Sequence, residues 1–113
     1  MKSRSAKNKG KRLQNKVRDL ILEKFNTLED DDVRSTTMGD SGEDVLLSPA
    51  ARKLFPFSVE CKNQERLNLW EAYSQSEANC GDYEPVVFLK KNNHKPLVLV
   101  DADYFVGLHK EEK

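Results

Sequence analysis

Leu54-Phe55-Pro56-Phe57-Ser58-Val59-Glu60-Cys61-Lys62 alternates with a period of two. Phe55, Phe57, Val59 and Cys61 share one parity; Ser58, Glu60 and Lys62 share the other. That period marks a half-buried strand, with one face on a core and the other toward a cleft or solvent. The second face sets a carboxylate and an ammonium side by side. Asp44 closes a short polar loop upstream, so the strand and that loop define an acid, acid, base set: Asp44, Glu60 and Lys62.

The elements around the strand follow from periodicity and punctuation. Leu13, Val17, Leu20, Ile21, Phe25 and Leu28 recur at spacings of three and four, which predicts a helix from Lys11 to about Thr27. Lys11, Gln14 and Arg18 fall on a neighbouring face of it. Val33 to Thr37 and Glu43 to Leu47 read as short strands, separated by a loop with Gly39 and Gly42. Pro49 suits a helical turn before the central strand. Gln64 to Asn79 reads as a second helix with Leu67, Trp70 and Tyr73 or Ser74 toward the core. Gln64, Asn68, Glu71 and Gln75 line its polar face. Pro85 to Lys90 and Pro96 to Val100 form a hairpin across Lys91–Lys95, and Asp101 caps a last helix over 102–108. The order α-β-β-β-α-β-β-α predicts an α/β fold, a central mixed β-sheet flanked by helices.

With 113 residues, 34% charged and 37% hydrophobic, the chain reads as one domain: a flexible basic arm over 1–10 and a body over 11–113. No apolar run reaches the length of a membrane span, and the basic start lacks the apolar segment of a secretory signal. Cys61 and Cys80 are too few for a disulfide framework and lack zinc-site spacing. A reducing, cytoplasmic setting is the expectation.

The net charge of zero conceals an asymmetry. Of 19 Lys and Arg, eight fall in residues 1–18 with no acid, leaving 11 bases against 19 acids, a net −8 on the rest. A basic arm on an acidic body suits a protein that grips phosphates while holding carboxylates for a metal. It equally suits a solvated tail. Lys7, Lys9, Lys11 and Arg12 are the arm residues assigned to DNA; Arg34 and Arg52, near the acidic set in sequence, are further candidates.

Two carboxylates on adjacent strands repel and favour a shared proton or a divalent cation. Oxygen ligands of this kind suit Mg²⁺, and the Cys61 carbonyl lies between the two functional residues as a further oxygen. Lys62 is placed to offset charge on a phosphoryl oxygen. A cation there lowers the pKa of a water enough to make it a nucleophile near neutral pH, which is phosphodiester hydrolysis. Glu60 and Lys62 also fit an ordinary exposed ion pair worth little.

Gly42-Glu43-Asp44-Val45 followed by Val59-Glu60-Cys61-Lys62 resembles the PD-(D/E)XK nuclease superfamily, with Glu43 standing where that family has proline. Over residues 9–80 the chain is similar to archaeal-type Holliday junction resolvases and to small phage-encoded endonucleases of the superfamily. The resemblance implies a restriction-endonuclease-like core. It also implies Mg²⁺ or Mn²⁺ on Asp44 and Glu60, Lys62 as the catalytic lysine, and Gln64 beside the substrate or the metal's waters. It implies an acid on the first helix, where this chain has the neutral Gln14, and a hydroxyl near the site, Ser35 or Ser41. Gln75 resembles a helix-borne glutamine of some branches. Duplex or branched DNA is the implied partner, and paired cleavage of a junction implies a homodimer. The alternative is a non-catalytic nucleic-acid-binding domain of the same shape.

Overall fold

The computed structural model describes residues 4–36 and 42–111. Its elements are α1 (Arg4–Lys24), a 3₁₀ turn (Asp30–Asp32), β1 (Val33–Ser35), β2 (Val45–Leu47), α2 (Pro49–Leu54), β3 (Phe57–Asn63), α3 (Leu69–Asn79), β4 (Glu84–Lys90), β5 (Leu97–Leu99) and α4 (Ala102–Gly107). The five strands form one sheet in the order β1-β2-β3-β4-β5. β1, β2 and β3 pair antiparallel, with Val33 opposite Leu47 and Val45 opposite Val59. β3 and β4 run parallel, with Glu60 beside Val87 and Asn63 beside Lys90; β5 returns antiparallel, with Phe88 beside Val98. The sheet is therefore mixed, as expected, and α3 is the crossover that a parallel pair requires.

Leu13, Val17 and Ile21, one helical face at i, i+4 and i+8, bury α1 on the sheet against Val33, Val45, Phe57, Val59 and Val86. Leu20, expected in that stripe, is 43% exposed, because it lies off the i+4 line. Phe25 and Leu28 pack on the rim of the same core. The helix also starts earlier than expected. Residues 4–10 are its opening turns, which corrects the reading of a flexible arm for that part of 1–10. Ala6, Lys9 and Gly10 are half-buried, and the Lys9 carbonyl accepts from Asn63 Nδ2 at 3.1 Å, so tertiary contact carries the helix through a stretch with no apolar period.

The polar parity of the central strand is not open to solvent. Ser58 is 2% exposed and Glu60 8%, since α3 covers the face of the sheet that α1 leaves. Strands with a parallel neighbour are commonly covered on both faces. α3 itself begins at Leu69, not Gln64. Asn68 is its cap, accepting from Glu71 N at 3.1 Å. The small residues Ala72 and Ser76, 3% and 0% exposed, face the sheet, which lets the helix approach closely. Trp70, expected in the core, is instead 78% exposed. Leu67 and Tyr73 are half-buried and Ser74 is exposed.

Turn chemistry sets the remaining joints. Ser48 caps α2 by accepting from Ala51 N at 3.1 Å, and donates to Asp32 Oδ1 at 2.6 Å. Asp32 is held below the usual carboxylate range by that hydroxyl and by the Glu29 backbone N–H. Gly42 has φ +94°, a left-handed backbone turn just before Glu43 and Asp44. Asn93, at φ 65°, turns the β4–β5 loop, and asparagine is among the residues that tolerate that region. Asp101 caps α4 by accepting from Tyr104 N at 2.9 Å.

Replacing Leu13, 2% exposed at the centre of the α1 contact, by alanine is expected to cost about 2–5 kcal/mol of stability. Trp70→Ala, at a site open to water, is expected to move it by no more than about 0.5 kcal/mol. Urea denaturation midpoints of the two variants compare them directly; equal losses would contradict the orientation of α3.

Candidate active site

Asp44 is built into the sheet by its own main chain. Its N–H donates to Val59 O at 2.8 Å, and its carbonyl accepts from Thr36 N at 3.0 Å and Thr36 Oγ1 at 3.2 Å. Its carboxylate Oδ2 then accepts from Cys61 N at 2.7 Å. A side-chain oxygen thus stands where a ladder would offer a carbonyl. N–H and C=O of one strand residue point to the same edge, so the Cys61 carbonyl also faces the Asp44 side, away from β4.

This bond fixes Asp44 against Glu60. Burial, then the Asp44 charge, then a hydrogen bond with Asp44, push the Glu60 carboxyl from 4.5 up to about 7; Lys62 and a hydrogen bond with Asn79 pull the other way, less strongly. The hydrogen bond with Asp44 favours the protonated form of Glu60, which donates it. Burial is also the main reason that the Cys61 thiol is pushed far above its ordinary range, ahead of the Asp44 and Glu60 charges. The thiol therefore stays protonated near neutral pH and packs as a small apolar group.

Lys62 emerges two residues along β3 into a cleft of about 170 Å³, lined by Gln64, Leu67, Asn68, Glu71, Ala72 and Gln75. The fold thus brings Gln64 and Gln75 to Lys62. Asn79, which meets Glu60, went unread in the sequence. It continues the spacing of four from Glu71 and Gln75, and that series was the signal that could have found it.

A second set of bonds steadies the loop. Arg52 donates to Glu43 Oε1 at 2.7 Å and to Phe57 O at 3.3 Å, and its guanidinium lies 4.2 Å from the centre of the Tyr83 ring. Arg52 is thereby committed to the fold, and its expected role at phosphate gives way to holding the Glu43–Asp44 segment on β3. Lys11 is committed in a similar way. Its Nζ donates to Ser35 Oγ at 2.9 Å and Thr36 O at 3.2 Å, and Ser35 Oγ donates to Asn15 Oδ1 at 3.0 Å. Through Thr36 this network touches the main chain of Asp44.

Of the other expected residues, Gln14 is buried on α1, 2% exposed. Lys7, Arg12 and Arg34 are exposed, and Lys9 is half-buried. Ser41 lies outside the described residues.

Among the described residues, no three His, Cys, Asp or Glu side chains group as a metal site. Two carboxylates and a backbone carbonyl nonetheless fit Mg²⁺, which commonly takes one or two carboxylates and keeps its waters. A buried carboxyl driven to keep its proton by a neighbouring carboxylate is the arrangement that a divalent cation relieves. No described helix is long and apolar enough to cross a membrane. No family model, no curated protein and no solved structure matches the chain.

The raised pKa of Glu60 carries a sign. Below pH 4.5 the folded and unfolded chains both keep the Glu60 proton. From 4.5 to about 7 the unfolded chain releases it and the folded one does not, so metal-free stability falls as pH rises through that window. Melting temperatures in a chelator across that range are expected to decline, and Glu60→Gln is expected to flatten the decline. An unchanged slope in that variant would assign the effect elsewhere.

Proposed function

We propose that the protein is a divalent-metal-dependent DNA endonuclease of the PD-(D/E)XK type. It hydrolyses phosphodiester bonds in duplex or branched DNA with structural selectivity, as a homodimer in the cytoplasm. The observation that carries this reading is the Asp44–Glu60 carboxyl pair, pinned to β3 by the Asp44–Cys61 bond at 2.7 Å. Lys62 stands on the same strand at the mouth of a polar cleft.

Asp44 and Glu60, with the Cys61 carbonyl, would hold Mg²⁺ or Mn²⁺. When bound, the cation polarises the phosphoryl oxygens and acidifies water. Lys62 places a positive charge where negative charge grows on the phosphoryl group, and its half-buried position strengthens that interaction. Gln64 and Gln75 offer amides, able to donate and accept, on either side of the same cleft. Asn79 holds the Glu60 carboxyl in position. The protonated thiol of Cys61 takes no part.

A second reading rests on Gln14. The resemblance expects an acid on the first helix, and this chain has a buried neutral amide there. A domain that binds nucleic acid without cutting it accounts for that substitution.

Incubation with plasmid, linear duplex and four-way junction DNA in Mg²⁺ or Mn²⁺ separates the two. Cleavage is expected, with Asp44→Ala and Lys62→Ala each slower by roughly 10²-fold or more while DNA binding persists. Binding without cleavage of any substrate by the unaltered protein would favour the second reading. Cleavage by Lys62→Ala at the unaltered rate would overturn the first.

A further inference from the structure

Two basic clusters far apart in sequence meet at one end of the sheet. β3 and β4 are parallel, so their C-terminal ends lie together, with Lys62 beside Leu89 and Asn63 beside Lys90. Asn63 also donates to the Lys9 carbonyl at 3.1 Å, which brings the opening turns of α1 to the same end. Lys7, Lys9 and Arg12 belong to that helix end, Lys90 ends β4, and Lys91 and Lys95 belong to the β4–β5 loop.

The loop is held in shape. Gln64 N donates to Lys90 O at 3.0 Å, and Asn92 N to Glu65 Oε2 at 2.6 Å. A cleft of about 230 Å³ opens beneath it, walled by Leu67, Leu89 and Leu97 and rimmed by the three loop lysines and His94. Gln64 and Leu67 line both this cleft and the one that receives Lys62, so the two are neighbours. The opposite end of β4 is acidic: Glu77, Glu84, Asp101 and Asp103 surround a separate cleft there. The charge along β4 thus runs from repulsive to attractive for a polyanion, and the attractive end adjoins Lys62.

We infer that Lys90 at the end of β4, with Lys91 and Lys95 on the β4–β5 loop, forms a phosphate-binding track for DNA, with the basic opening turns of α1 as its second wall. The track takes the phosphates that neighbour the one at Lys62. This rests on the endonuclease reading for the position of the scissile phosphate, though not for the binding itself. Lys91 and Lys95 are exposed and Lys90 is half-buried, its Nζ donating to the neighbouring Lys91 carbonyl at 3.2 Å; none of the three belongs to the core, so their removal leaves the fold intact.

The test uses the full chain with Asp44→Ala, which removes cleavage from the measurement. Fluorescence anisotropy with a labelled duplex and a four-way junction, over a range of salt, gives affinity and salt dependence. Adding Lys90→Ala, Lys91→Ala and Lys95→Ala is expected to weaken binding of both DNAs and to lower the slope of log K against log salt by about 2–3. The same number of changes at the exposed Lys24, Lys53 and Lys110 is expected to change the slope by less than about 1. An unchanged slope in the loop variant, or an equal fall in the control, would overturn the track. If the unaltered protein cuts nothing and the loop variant still loses slope, the nuclease reading fails and the track stands.

Discussion

The Asp44 carboxylate accepts the N–H of Cys61 at 2.7 Å, at the point where β2 leaves the sheet. That bond decides what the middle of the molecule can be. β2 contributes only Val45 as a register partner of β3, and a strand pair that short is held by what flanks it. The flank is Asp44: its main chain extends the pairing to Val59 and Thr36, and its side chain closes the next link. A residue that completes a ladder with its carboxylate cannot also hide that carboxylate from Glu60. The repulsion between the two acids is therefore a consequence of how the sheet is finished, and it adds to the burial that is the main reason the Glu60 carboxyl is raised to about 7.

The second constraint is that β3 is covered twice. α1 takes the Phe57 and Val59 face with a stripe of branched residues, and α3 takes the Ser58 and Glu60 face with Ala72 and Ser76. The two faces differ in kind. The first is an apolar core of ordinary composition. The second admits polar groups because the covering helix presents only small side chains at its centre and amides, Gln75 and Asn79, along one edge. A bulkier helix face would have filled the cleft at Lys62. The contrast between the two helices creates a polar cleft inside a domain of this size.

How much of this was legible in the chain varies with the kind of signal. The central strand, the final hairpin and the last helix were readable because each rests on a local period or turn: the alternation over 54–62, of which the strand keeps Phe57 onward, the proline-bounded runs, Asp101 as a cap. Glu60 and Lys62 came forward through that same alternation, and Asp44 as the end of the polar loop upstream. The exposure of Trp70 was not readable, because it depends on the helix starting at the Asn68 cap, and a shift of a few residues in the start turns a different face inward. The helical state of residues 4–10 was not readable either, since a contact 54 positions away, from Asn63 to Lys9, accompanies it. Nor was the burial of Glu60, because a period of two says which residues share a face and nothing about what covers that face.

The same distinction governs charge. Composition revealed a basic start on an acidic body, but a count along the chain cannot say where charges meet. Lys11 and Arg52, both attractive as phosphate ligands on paper, are occupied in holding Ser35, Thr36, Glu43 and Phe57. The lysines at the β4–β5 turn look like an unremarkable solvated turn in the sequence, yet parallel pairing brings the end of β4 that leads into them level with Lys62 and Asn63. The direction of β4 is what sorts the acidic and basic halves of the surface to opposite ends. Repulsion at Glu84 and attraction at Lys90 would orient a polyanion along that sheet, which is the field that the proposed track requires.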